Sequence, residues 1–378
     1  MRLTNFNLTT TDNRTRVSAS VTWEDCDQPR QTVFIETESR FSDDISCNPN
    51  AFLVGCLLPA MHYGEKRIRV EGDICPLLNE GLQTVMGIMQ HWSGGTYRPL
   101  VIEAKPADHI PYLTRKRHTA LFMSGGIDSL AAFRLNRMNF SSSHPGRIAD
   151  CLLVHGFDIG GVVERGGKFR VFDRARAALS YLVKDAGVNL IPAYTNIRHL
   201  CDNRNLWLDK FFGAVLAAVA HTFSPRLSVG LIASSYDISH LHPCGSHPLL
   251  DPAYSSYNLR IVHRDLALSR MEKLEIVASW EEAFQNLRVC LANVPDRLNC
   301  GRCEKCVRTM LELLSIDQLS NTRAFEENDV SPDRLSAFSI RIRDREPFYQ
   351  ELLPLLKERG RYDLVATIED KLKNDPTS

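Results

Sequence analysis

The sequence predicts an α/β protein: a doubly wound parallel sheet, preceded by a smaller α+β domain and followed by a helical tail. Three observations predict it. Between residues 119 and 232, short apolar runs alternate with amphipathic or alanine-rich stretches, the pattern of βαβ units. At one of these junctions an apolar strand breaks into Ser124-Gly125-Gly126 and then into a helical pattern, a turn that brings backbone N–H groups close to an anion. Cys290, Cys300, Cys303 and Cys306 stand at metal-ligand spacing.

Residues 1–115 are expected to form the α+β domain. Residues 17–21, 32–36 and 67–71 alternate or are β-branched and read as strands, with polar turns such as Thr11-Asp12-Asn13 between them. Residues 52–61 and 76–91 read as helices, and 98–104 as one more strand. Cys26, Cys47, Cys56 and Cys75 lack metal spacing and are expected to be buried thiols.

Residues 116–310 carry the βαβ alternation. Strands are expected at 119–123, 151–155, 189–193 and 227–232, with helices at 172–185 and 207–221, the latter nearly all apolar and therefore buried. In such a sheet ligands sit beyond the carboxyl ends of the strands. Ser124, Gly156 and Ala233 begin segments at those ends, which makes them the candidate ligand-facing positions. The stretch 234–257, rich in Ser, His, Pro and Gly, is long enough to be functional. Its His240, His242, Cys244 and His247 invite a metal reading beside that of a substrate loop.

Residues 311–378 are expected to be helical. Ser331-Pro332-Asp333 is a helix start, with a hydroxyl for the N-cap and proline at the first helical position. Phe348, Leu352, Leu355 and Leu356 repeat at helical spacing, Pro354 should kink that helix, and Gly360 should stop it. Leu364, Ile368 and Leu372 mark a last helix. The stripe either packs on the catalytic domain or, with the N-terminal domain, frames a substrate entrance or docks a protein partner.

Composition bounds the function. With 378 residues, 44% apolar and 24% charged, the chain has the make-up of a soluble globular protein with room for two or three domains. Forty-five basic residues balance forty-five acidic ones, which disfavours autonomous nucleic-acid binding, although Arg115-Lys116-Arg117-His118 is a local basic cluster: a solvated linker or part of a polyanion path. The N-terminus has no basic start before an apolar core, and the longest apolar stretch, 211–220, is too short to span a bilayer. Eleven cysteines, four of them clustered, suit a reduced, cytoplasmic protein better than a disulfide framework.

The loop residues Ser124, Gly125, Gly126, Ile127, Asp128 and Ser129 are the centre of the expected chemistry. The serines can donate to phosphate oxygens, and Asp128 beside a phosphate suggests a bridging Mg²⁺ or a loop-shaping role. The stretch is not a Walker loop, and Gly166-Gly167-Lys168 misses that spacing too. The four cysteines suit a closed, tetrahedral and therefore structural Zn²⁺ site. An iron–sulfur cluster is the rival, although Val307-Arg308-Thr309 begins a helix where a ferredoxin carries its proline.

The string Ser-Gly-Gly-Ile-Asp-Ser resembles the pyrophosphate loop of the PP-loop ATP pyrophosphatases, which cut ATP between the α and β phosphates to adenylate a substrate oxygen. The order of this loop, His155-Gly156-Phe157-Asp158, Asn203-Arg204-Asn205, Ser235-Tyr236-Asp237, Lys273-Leu274-Glu275-Ile276 and the four cysteines is similar to that of 7-cyano-7-deazaguanine synthases. The likeness covers roughly residues 118–310. It implies ATP, Mg²⁺ and Zn²⁺ as cofactors and a small carboxylate of deazaguanine type as substrate. It also implies that Ser124 to Ser129 and Asn205 bind nucleotide, that Asp128, Lys273 and Arg204 are catalytic, and that Cys290, Cys300, Cys303 and Cys306 hold the metal. The extra 115 residues in front and the tail behind depart from the compact synthase and look like its relatives in bacterial antiviral-defence operons, which implies a possible protein partner. Two alternatives stay open: a sulfur or amide transferase acting on tRNA or a sugar, with Cys151, Cys201 and Cys244 as the thiols that could carry sulfur as a persulfide, and a non-catalytic nucleotide-binding subunit of a defence complex.

Overall fold

The computed structural model describes residues 1–108, 116–341 and 345–376, so Arg115 of the basic cluster lies outside the described residues. Among the described residues the strands are β1 (Arg2–Thr10), β2 (Arg14–Thr22), β3 (Gln31–Glu38), β4 (Arg67–Ile74), β5 (Val101–Pro106), β6 (His118–Phe122), β7 (Ile148–His155), β8 (Asn189–Thr195), β9 (Leu227–Ala233) and β10 (Arg260–Arg264). They form one mostly parallel sheet in the order β10-β9-β6-β7-β8-β3-β2-β1-β4-β5.

The five strands from β10 to β8 are all parallel to their neighbours. From β6 the chain steps outward to β7 and β8, then returns across β6 to build β9 and β10 on the other side. This Rossmann-like order places a topological switch point between β6 and β9, where the connections leave in opposite directions, the place at which such sheets bind ligands.

The N-terminal strands continue the same sheet. β3 pairs antiparallel with β8 (Glu36 opposite Tyr194), so the outer edge of β8 is covered. Side chains lock the junction. Thr37 Oγ1 donates to the Pro192 carbonyl at 2.7 Å and Thr195 Oγ1 to the Phe34 carbonyl at 2.7 Å. Asn196 accepts from the Phe34 N–H at 2.9 Å and donates to the Thr32 carbonyl at 2.9 Å.

Helices cover both faces: α1 (Pro49–His62), α2 (Pro76–Trp92), α3 (Ile127–Asn139), α4 (Phe169–Asp185), α5 (Arg204–Leu206), α6 (Phe212–Thr222), α7 (Arg270–Ala278), α8 (Glu281–Gln285), α9 (Glu304–Ser315), α10 (Pro332–Ser336), α11 (Glu346–Glu358) and α12 (Tyr362–Asn374). The period-2 alternation of the strands splits the core. Ala120, Phe122 and Leu152 pack with α1, α2 and α6, whereas Leu121, Met123, Cys151 and Leu153 pack with α3, α4, α7 and α9. The tail belongs to the second face: Tyr349, Leu352, Leu356, Leu364 and Ile368 are fully buried there. No described helix is long and apolar enough to cross a membrane.

Several expectations need correction. Ser331 precedes α10, but its hydroxyl makes no capping hydrogen bond. Of the four N-terminal thiols only Cys56 and Cys75 are buried; Cys26 and Cys47 are half-exposed. The expected strand at 98–104 begins at Val101 and runs to Pro106. α11 runs on past Pro354, while Gly360, at φ +70°, follows the end of the helix as the sequence predicts.

Candidate functional site

The Ser124–Ser129 loop leaves the carboxyl end of β6 at the switch point. Gly125 has φ +78°, a left-handed conformation that costs a non-glycine residue about 1–2 kcal/mol. The Gly125 carbonyl accepts from the Arg288 N–H at 2.8 Å, which pins the loop from the side of the cysteine segment. Ser124 Oγ accepts from the Gly126 N–H at 3.2 Å, and Ser129 Oγ donates to the Gly126 carbonyl at 3.0 Å. The serine hydroxyls stand 3.4 Å apart. Gly126 is the N-cap of α3 and contributes no side chain there, so the first N–H groups of the helix have no side-chain cap.

Lys273 is the observation that turns this turn into a site. Its helix, α7, starts with a capping box: Ser269 Oγ accepts from the Glu272 N–H at 3.2 Å, and Glu272 Oε2 accepts from the Ser269 N–H at 2.7 Å. One residue into the helix from that box, Lys273 is only 1% exposed. Its Nζ donates to the Ser234 carbonyl at 2.7 Å and stands 3.9 Å from Asp128 Oδ1. One ammonium therefore joins the two loops that flank the switch point. Burial pulls its pKa below the ordinary lysine range, and Asp128 and Asp265 oppose that pull. Asp128 Oδ1 is a buried oxygen with no hydrogen bond, a donor atom suited to a cation.

More cations line the same side, and sequence reasoning did not single them out. Arg270 donates to Glu312 Oε1 at 2.6 Å and to Thr309 Oγ1 at 3.1 Å, both on α9. Burial lowers the pKa of Lys305, while the carboxylates of Asp158 and Asp128 raise it. Arg308 lies over the Phe348 ring at 4.4 Å and bridges to Glu304 at 3.3 Å. The signal available in the sequence was the pair of basic residues around the last cysteine, Lys305-Cys306-Val307-Arg308.

The four cysteines converge. Their sulfurs all lie within 4.8 Å of one another, with Cys300 to Cys306 at 3.9 Å and Cys303 to Cys290 at 4.0 Å. Four thiolates around one zinc at 2.3 Å would stand about 3.8 Å apart. Cysteines on an iron–sulfur cubane hang from separate irons and are held farther apart, so the spacing fits a single tetrahedral ion. Gly301, at φ +68°, makes the turn, and the Cys303 N–H donates to Cys300 Sγ at 3.2 Å. Asn299 fixes the approach by accepting from the Val289 N–H at 2.8 Å and donating to the Leu287 carbonyl at 2.7 Å. A metal ion bound there would hold all four sulfurs as thiolates.

The remaining expected residues are placed apart. Arg204 and Asn205 are exposed and open α5, behind the Asn203 cap. That helix continues through a π-turn at Trp207–Phe211 into α6, on the face opposite α3 and α7. The 234–257 histidines disperse: His240 bonds Asp237, His242 packs edge-on to Tyr236, and His247 packs against Trp92. Cys244 Sγ donates to the Leu208 carbonyl at 3.7 Å. Burial pushes the Cys151 and Cys201 thiols up and that of Cys244 up to about 11, which leaves none of them a ready nucleophile.

No family model, curated protein or solved structure matches this chain.

Proposed function

We propose that the chain is an ATP-dependent adenylating enzyme of the PP-loop type, similar to 7-cyano-7-deazaguanine synthase, with a structural zinc in the four-cysteine site. The observation that carries the reading is the buried Lys273 ammonium, which spans from Ser234 to Asp128 across the switch point of a Rossmann-like sheet. ATP would lay its phosphates on the N–H groups of the Ser124–Ser129 turn and the N-terminus of α3. A substrate carboxylate oxygen attacks the α-phosphorus, the bond to the α–β bridging oxygen breaks, and pyrophosphate leaves. An amine or ammonia then attacks the acyl carbon and AMP departs, the amine proton passing to solvent.

Such chemistry rests on alignment and charge neutralisation. Lys273, with Arg270 and Lys305 nearby, supplies fixed positive charge where the leaving pyrophosphate develops negative charge. Asp128, with its unbonded Oδ1, would ligate Mg²⁺, which shields the phosphate charges. Incubation with ATP and candidate heterocyclic carboxylates tests the reading: substrate-dependent AMP and pyrophosphate are expected, and ADP with phosphate would reject it. Pull-down with products of neighbouring genes tests the expected protein partner.

A further inference from the structure

Asp237, His240 and Glu351 meet beside this site, and the adenylation reading uses none of them. Asp237 and His240 come from the loop after β9, and Glu351 comes from α11 of the tail. Asp237 caps a short turn, its Oδ1 accepting from the Ser239 N–H at 2.8 Å. The same carboxylate holds the His240 ring through Nδ1, at 2.8 and 3.0 Å. One ligand atom from each of Asp237, His240 and Glu351 lies within 4.8 Å of the other two.

An Asp–His hydrogen bond explains the first two residues but not the third. Glu351 is half-buried, and none of the hydrogen bonds or ion pairs of the described residues involves its carboxylate. Its oxygen instead converges with the Asp237 and His240 ligand atoms, a set drawn from two separate segments of the chain. Asp237 also acts on the Lys273 ammonium, which sets the cluster at the edge of the nucleotide-loop site.

We propose that Asp237, His240 and Glu351 bind a divalent transition-metal ion, distinct from the ion of the four cysteines. One imidazole and two carboxylates form a ligand set for Mn²⁺, Fe²⁺ or Zn²⁺. Three protein ligands leave coordination positions for water or a substrate oxygen, as a closed Cys₄ site does not. The ion ties α11 to the loop after β9, so the tail contributes a ligand to the site as well as packing. This inference stands apart from the adenylation chemistry and holds whatever the nucleotide loop does.

Mn²⁺ alone is the probe, because it prefers oxygen and nitrogen donors and leaves the thiolates to zinc. The zinc-loaded full chain, free of nucleotide, is titrated with Mn²⁺ and followed by electron paramagnetic resonance. One bound Mn²⁺ per chain is expected, with imidazole ¹⁴N modulation in the pulsed spectrum. Glu351→Gln and His240→Ala should each weaken binding at least tenfold, and His240→Ala should abolish the modulation. Asp128→Asn should leave both unchanged. Added Mn²⁺ should raise the Tm of the wild type but not of His240→Ala, which separates a lost ligand from a lost fold. Absence of Mn²⁺ binding, binding unchanged in both ligand variants, or binding lost in Asp128→Asn would each overturn the proposal.

Discussion

Replacing Lys273 by methionine keeps the aliphatic stem and removes the charge. The ammonium is 3.9 Å from Asp128 Oδ1, a pair worth about 4 kcal/mol in gross Coulomb energy at an effective dielectric of ~20. Its hydrogen bond to Ser234 contributes roughly 1.5–3 kcal/mol, as bonds to charged groups do. Relief from burying an ammonium offsets much of both, so the net change in stability should stay within about 2 kcal/mol. In the proposed adenylation no such offset would exist in the transition state, where the lysine would face developing negative charge. There the loss of one preorganised donor costs about 10²- to 10³-fold in kcat. Pyrophosphate release, measured with saturating ATP and the true carboxylate, should fall by that factor while urea unfolding changes little. Since burial draws the Lys273 pKa down, wild-type activity should decline as pH rises toward a value below the ordinary lysine pKa of about 10.4. That alkaline limb should vanish in the variant. A folded Lys273→Met protein that retains activity within threefold of wild type would refute the assignment of the site.

Purified protein should contain about one zinc per chain by elemental analysis, and Cys303→Ser should lose it together with much of its stability; stoichiometric iron with visible absorbance would refute the zinc assignment. Gly125→Ala should cost about 1–2 kcal/mol in urea unfolding, since its φ is +78° and the added Cβ would meet Leu179 Cδ2 at 3.4 Å. Arg226→Met should destabilise by about 3–5 kcal/mol, because it removes the guanidinium that bridges the buried carboxylates of Asp150 and Asp44. Burial alone would raise the Asp150 pKa, but Arg226, Asn189 and His118 outweigh it and hold the carboxyl below its ordinary value. The folded state thus binds fewer protons, so this stability is full above the ordinary carboxylate pKa and is lost as pH falls through the depressed one. Acid unfolding of the wild type should show that loss, and the variant should show it diminished. Deleting residues 331–378 should yield insoluble protein, because Tyr349, Leu352, Leu356 and Leu364 are all fully buried against α9 and its surroundings; soluble protein of unchanged stability would contradict the packing.

What the sequence determined by itself was local. A strand of period 2, a helix after a glycine turn and a Cys-x₂-Cys-x₂-Cys run are each specified within a dozen residues, so the Ser124–Ser129 turn, α1, α2 and the cysteine cluster were legible before any fold was known. Even Gly301 could be read as the turn that closes the cysteine cluster. Tertiary structure decided whatever depends on which segments meet. Lys273 has the appearance of an exposed helix charge, and its burial comes only from α7 docking on α3 beneath the loop after β9. The sheet running from β10 to β5 rests on the β3–β8 pairing, which joins residues more than a hundred positions apart, and no periodicity encodes a partner at that range. The histidines of the 234–257 loop looked like one ligand set, yet the structure disperses them and brings a glutamate from the tail within 4.8 Å of His240. A ligand set is fixed by the directions in which side chains leave their backbones, and those directions exist only once distant elements have packed.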